Sequence, residues 1–193
     1  MSDDLMQVPV EVSARHVHLS QADQDALFGE GYEMPVAKDL SQPGQWAGED
    51  KVTIRGPRGE MSCRVLGPCR SATQVEISKT ECLKLGIEPA LRVSGDHEGT
   101  PGCTLVGPKG EAELTSGVIV AKRHIHLSEA QAEERGLKGG DTVSVHVGGD
   151  RDITFNNVIL RTNPNFDLHL HLDTDEGNAA WQEMGGGTGD IIK

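Results

Sequence analysis

Along much of this chain, apolar and polar residues alternate with a period of two. DKVTIRG (50–56), GEMSCRVLG (59–67) and TQVEIS (73–78) show the pattern, with Gly and Pro between them. DTVSVHVGG (141–149), RDITFNNVIL (151–160) and FDLHLHLD (166–173) show it again further on. Alternation with β-branched residues and turn punctuation predicts short, half-buried strands. Helical signals are fewer. Ser20 opens SQADQDALF and Ser128 opens SEAQAEERG, with Asp23 and Gln131 three residues later and Gly29 and Gly136 as stops. These are the marks of N-capped short helices, the first with a looser capping box. Ser78 with Glu81 opens another, running to Gly86. GGGTG (185–189) has no helix after it and reads as a C-terminal turn.

The same order of elements occurs twice. Residues 12–20 read VSARHVHLS and residues 120–128 read VAKRHIHLS, with Arg, His, a β-branched residue, His, Leu and Ser in one register. Each copy leads into a short helix and then β-rich sequence. The expected fold is therefore mainly β with short helices, as two tandem β-barrel-like domains related by an internal repeat. Their expected extents are 1–95 and 96–193, with the loop-like GDHEGTPG (95–102) at the junction.

Composition narrows the function. The chain has 193 residues, enough for one medium domain or two small ones. Its net charge of -12 argues against an electrostatic grip on nucleic acid. No apolar run approaches the roughly 20 residues of a membrane span. MSDDLMQVPVEV has acidic residues where a secretory signal carries basic ones. The four cysteines, Cys63, Cys69, Cys82 and Cys103, have no CxxC spacing, so they read as reduced cytoplasmic thiols. Aromatics make up only 3%, so the core rests on aliphatic residues, and the 8 His outnumber Trp, Tyr and Phe together.

Where those His sit carries the chemistry. In HVH, His16 and His18 are two apart; in HIH, so are His124 and His126. On a strand, residues i and i+2 share a face, so each pair can present two imidazoles to one ion. In HLHLD, His169 and His171 share a face; in TQVEI, Gln74 and Glu76 do. Imidazole and carboxylate are the usual zinc ligands where thiolates are absent. One HxH is as readily a solvated strand face, but two in the same register plus a third are not. The repeat suggests His16, His18 and Glu76 as one ligand set, and His124, His126 and His171 as another, with His169 a competitor. His146, alternating within VSVHV, reads as a polar strand face, and His97 in its Gly-rich loop as solvated.

Arg15 and Arg123 precede the HxH pairs and point to the other face, where they would hold carboxylates structurally. Arg64, Arg70 and Lys38 are cations suited to a phosphate, and Arg offers a planar fork for two oxygens. No GxxxxGK[ST] or GxGxxG phosphate loop occurs.

The strings VSARHVHLS, KDLSQPGQWA, RVLGPCRSATQVEIS, AKRHIHLS and HLDTDEGNAA resemble the phosphate propanoyltransferases, the PduL-type phosphate acyltransferases. They run almost end to end in the expected order. The resemblance implies two β-barrel-like domains, two zinc ions between them, and exchange of an acyl group between coenzyme A and inorganic phosphate. It assigns His16, His18 and Glu76 to one zinc and His124, His126 and His171 to the other. Arg70 would hold phosphate, as the catalytic residue. Ser13, Lys38, Arg64, Leu66 and Asn178 would lie near coenzyme A.

Family members sent into bacterial microcompartments can carry an amphipathic N-terminal extension. MSDDLMQV is too short and acidic for one, so a free cytoplasmic enzyme is expected. Expected partners are acyl-coenzyme A and phosphate, within a homo-oligomer, without nucleic acid or membrane. The expected reaction is direct, zinc-assisted attack of phosphate on a propanoyl or acetyl thioester, giving an acyl phosphate. An acyl-enzyme on Cys69 ranks below it. A dinuclear zinc hydrolase and a non-catalytic zinc-stabilised binding protein are the alternatives.

Overall fold

The structure, a computed structural model, describes residues 6–180, 182 and 186–192; the acidic segment 1–5 lies outside them. In chain order the first elements are β1 (Gln7–Ser13), β2 (His16–Ser20), α1 (Gln21–Phe28), β3 (Val36–Asp39), β4 (Trp46–Gly56), β5 (Gly59–Arg70) and β6 (Gln74–Glu76). Then come α2 (Lys79–Leu85), β7 (Leu91–Arg92), β8 (Cys103–Val106), β9 (Glu111–Leu114) and β10 (Val118–Ala121). The remainder is β11 (His124–Leu127), α3 (Glu129–Glu134), β12 (Thr142–Val147), β13 (Ile153–Thr162), β14 (His169–Asp173), α4 (Thr174–Ala179) and β15 (Gly187–Ile192). Of the described residues, 48% are in strands and 15% in helices, so the fold is mainly β, as the alternation implies. Among the described residues, no helix is long and apolar enough to cross a membrane.

The chain forms two compact units. One comprises residues 1–13, 41–43 and 122–193; the other comprises 14–40 and 44–121. The first is a closed six-stranded barrel in the order β1-β14-β11-β13-β12-β15. Inward residues of each strand, among them Val8, Ile125, Leu127, Val145, Leu160, Leu170 and Leu172, fill its core. The second is a curled sheet in the order β7-β10-β6-β2-β5-β4-β8-β9, with β3 on β4. Val17, Leu19, Ile54, Val65 and Leu105 pack there against Leu27 of α1 and Leu85 of α2.

These units are not the contiguous halves 1–95 and 96–193. The leading strand of each repeat is exchanged. β1, which precedes HVH, runs parallel to β14, with Val10 opposite Leu170 and Val12 opposite Leu172. β10, which precedes HIH, runs parallel to β6, with Val118 opposite Val75 and Ile119 opposite Glu76. The chain thus passes between units at Ser13/Ala14 and at Ala121/Lys122. The remaining correspondence is close. β2 lies between β6 (antiparallel) and β5 (parallel), and β11 lies between β14 (antiparallel) and β13 (parallel).

The caps form as expected. Ser20 Oγ accepts from Asp23 N, and Ser78/Glu81 and Ser128/Gln131 make full capping boxes. The C-terminal segment corrects the sequence reading. Gly187–Ile192 is not a terminal turn but β15, which pairs with β1 and β12 and closes the barrel. Its glycines allow the close approach: a Cβ on Gly189 would sit 2.8 Å from Val145 Cγ1.

Candidate metal and phosphate site

In the curled-sheet unit, antiparallel pairing sets His16 opposite Glu76 and His18 opposite Gln74. Ligand atoms of His16, His18 and Glu76 all lie within 4.8 Å of one another. His16 Nδ1 faces the Ala14 carbonyl oxygen at 3.0 Å, and Nε2 lies 3.6 Å from Glu76 Oε1. A ring nitrogen held by a backbone carbonyl fixes the tautomer and leaves the other nitrogen for a ligand. Burial opposes charge on His16, yet the Glu76 carboxylate and the Ala14 carbonyl hold its pKa above the ordinary value. Burial, with His16 and Arg70 nearby, pushes the His18 imidazole down to about 2, so His18 stays in the neutral form that ligates metals.

Arg70, at the end of β5, completes the group. Its Nη2 lies 2.8 Å from His18 Nε2, and its Nη1 donates to Ser94 Oγ at 3.2 Å. His18 Nδ1 is buried without a hydrogen-bond partner, an arrangement that is costly unless a ligand accompanies it. Two imidazoles and one carboxylate fit a divalent metal with zinc-like preferences.

The barrel unit repeats the register: His124 lies opposite His171, and His126 opposite His169. The three rings of His124, His126 and His171 cluster with centroid separations of 4.6, 5.2 and 4.7 Å. His124 Nδ1 faces the Lys122 carbonyl oxygen at 2.8 Å, as His16 faces Ala14. Glu11 of β1 stands opposite His171 and brings Oε2 to 3.8 Å from its Nδ1, while Ser41 Oγ donates to that Oε2 at 2.5 Å. His169 stands further out, its ring 6.3 Å from that of His171, with a buried Nδ1 that has no hydrogen-bond partner.

The paired arginines hold carboxylates, as their position implies. Arg15 Nη1 lies 2.7 Å from Glu81 Oε1, and Arg123 Nε lies 2.9 Å from Glu176 Oε1. Both carboxylates also close capping boxes, in α2 and α4. The sequence reading missed α4, although Asp173 followed by Glu176 is the same box signal that marks α2. It also missed the β8–β9 hairpin.

The remaining predicted residues lie in their own units. In the curled-sheet unit, Lys38 is exposed on β3, Arg64 donates to the Gly48 carbonyl oxygen at 2.6 Å, and Leu66 stands opposite His18 on β5. In the barrel unit, Ser13 ends β1 opposite Asp173, and Asn178 is exposed on α4. His146 lies half-buried on β12, its Nε2 2.9 Å from Asp152 Oδ1. His97 is a correction: it is half-buried, not solvated, and its Nε2 lies 3.0 Å from Gln74 Oε1. All four cysteines are outside disulfides; burial pushes the thiols of Cys63 and Cys103 up, and that of Cys69 as well.

The model of the phosphate propanoyltransferase family matches residues 9–183. A phosphate propanoyltransferase of Thermotoga maritima is 51% identical over 185 residues, covering 95% of this chain and 86% of the relative. Those of Salmonella typhimurium and Listeria monocytogenes are 51% and 46% identical, covering 90% and 96% of this chain and 83% and 87% of the relatives. A match over nearly the whole chain, spanning both histidine clusters and Arg70, places this protein in the phosphate propanoyltransferase family of acyltransferases.

Proposed function

We propose that this chain transfers a short acyl group, propanoyl or acetyl, between coenzyme A and inorganic phosphate. The observation that carries this reading is the juxtaposition in one unit of His16, His18 and Glu76 with the Arg70 guanidinium. A metal-ligand set beside a fork of N–H donors suits a reaction in which a phosphate oxygen attacks a thioester carbonyl. The carbon–oxygen bond forms, the carbon–sulfur bond breaks, and the phosphate proton ends on the coenzyme A thiol.

His16, His18 and Glu76 would hold one zinc, and His124, His126 and His171 the other. Zinc held by these residues would supply Lewis acidity suited to polarising a carbonyl and to stabilising a thiolate. Arg70 binds and orients phosphate through two N–H groups, which removes much of the entropic barrier to attack. Ser13, Lys38, Arg64, Leu66 and Asn178 are proposed to contact coenzyme A. The cations and divalent ions together give anions a local attraction that a charge of -12 denies them elsewhere. Direct transfer is favoured over an acyl-cysteine because burial and the nearby Asp25 push the Cys69 thiol up, away from the nucleophilic thiolate.

The test is coenzyme A release from acetyl-, propanoyl- and butanoyl-coenzyme A with and without phosphate, alongside metal analysis. Phosphate-dependent release with acyl phosphate as product supports the reading. Release that ignores phosphate and yields free acid would overturn it in favour of a hydrolase.

A further inference from the structure

Gln74 lies two residues before Glu76 on β6 and is 1% exposed. A buried primary amide must satisfy two N–H donors and a carbonyl oxygen with two lone pairs. Here all four positions are used. Nε2 donates to Glu76 Oε1 at 2.6 Å and to Ser94 Oγ at 2.8 Å. Oε1 accepts from Gly95 N at 2.7 Å and from His97 Nε2 at 3.0 Å. Because a backbone N–H can only donate, the Gly95 contact identifies which end of the amide is oxygen, and this requires the His97 proton on Nε2. Ser94 Oγ accepts in addition from Arg70 Nη1 at 3.2 Å. One amide therefore ties together the carboxylate of a metal-ligand set, the 94–97 loop and, through one hydroxyl, the phosphate-binding guanidinium.

The repeat shows that the strand does not need this amide. In the barrel unit, the position opposite the second His of HxH is His169, and the sheet pairing is the same. The amide occurs in the unit that carries Arg70.

We infer that Gln74 is a positioning residue, holding Glu76 toward His16 and, through Ser94, fixing the orientation of Arg70. The inference rests on the proposed metal and phosphate roles of this site. Ligating carboxylates depend on such hydrogen-bonded support, and losing it typically costs 10- to 100-fold in metal affinity.

The experiment compares Gln74→Leu and Ser94→Ala with the full-length wild type. It reads Zn2+ affinity by chelator competition, the visible spectrum of the Co2+-loaded protein, and KM for phosphate and for propanoyl-coenzyme A. Gln74→Leu is expected to weaken Zn2+ binding by about 10-fold or more and to shift the Co2+ bands. Ser94→Ala is expected to keep Zn2+ affinity and KM for propanoyl-coenzyme A while raising KM for phosphate several-fold. Unchanged Zn2+ affinity and Co2+ spectrum in Gln74→Leu would overturn the hold on Glu76. Unchanged KM for phosphate in Ser94→Ala would overturn the link to Arg70. Should Gln74→Leu not fold, Gln74→Asn withdraws the amide by one methylene and carries the same expectations. Should the wild type not form acyl phosphate, the activity reading falls, while the Zn2+ and Co2+ measurements still decide the role of Gln74.

Discussion

Arg15 and Glu81 meet at 2.7 Å in a way that joins the start of HVH to the helix after Glu76. The same carboxylate accepts from Ser78 N at 2.9 Å through its other oxygen, so it both caps α2 and holds the arginine. Glu81→Ala removes both contacts. Loss of a cap typically costs about 0.5–2 kcal/mol. A lowered melting temperature is expected, with Glu81→Gln milder because it can retain the cap. Thermal unfolding of the two variants checks this.

Arg70→Ala is expected to lower acyl-phosphate formation by roughly 100-fold or more, in line with removal of a charged transition-state donor. Metal content should match the wild type, because Arg70 is not a ligand. Arg70→Lys should recover little, since a point charge cannot replace the fork. Steady-state kinetics with parallel metal analysis tests both points, and normal turnover by Arg70→Ala would remove it from the mechanism.

Cys69→Ala should turn over at near the wild-type rate. Its Sγ donates to Gln24 Oε1 at 3.3 Å, and its thiol is pushed up by burial. An inactive but folded Cys69→Ala variant, together with an acyl adduct seen by mass spectrometry, would establish the covalent route instead.

Burial, reinforced by Asp173, raises the Glu176 carboxyl from 4.5 to about 6, outweighing the Arg123 guanidinium. A carboxyl that holds its proton more tightly when folded favours the folded state at low pH. Its contribution is lost as pH rises from about 4.5 through about 6. Unfolding of the wild type and Glu176→Gln between pH 4 and 8 should show this part of the slope missing in the variant.

The exchanged strands predict which fragments fold. Residues 14–121 contain every strand of the curled sheet, whereas 1–95 lacks β8, β9 and β10. Without β10, Val75 N loses the Gly117 carbonyl and Ile77 N loses the Ile119 carbonyl, leaving an open edge at β6. The 14–121 fragment should melt cooperatively by circular dichroism, and the 1–95 fragment should not.

Local chemistry was readable from the sequence; non-local pairing was not. Period two places His16 with His18 and Gln74 with Glu76 on shared faces, and Ser78 with Glu81 announces its helix. Arg15 and Arg123 read correctly as carboxylate holders. The exchange of β1 and β10 leaves no local trace, because VEV before HVH and VIV before HIH suit either sheet equally. β15 hides in a glycine-rich string, since those glycines serve close backbone approach rather than side-chain burial. His97 reads as solvated because its partner, Gln74, lies on a distant strand and is itself an unremarkable polar residue in sequence.

Two of the crossings between units are brief. Ala14 and Arg15 separate β1 from β2, and Lys122 and Arg123 separate β10 from β11. The strand that pairs with β14 and β15 in the barrel therefore ends three residues before His16, and the strand that pairs with β6 and β7 in the curled sheet ends three residues before His124. An ion bound at either cluster would raise the free energy of opening the unit that holds it.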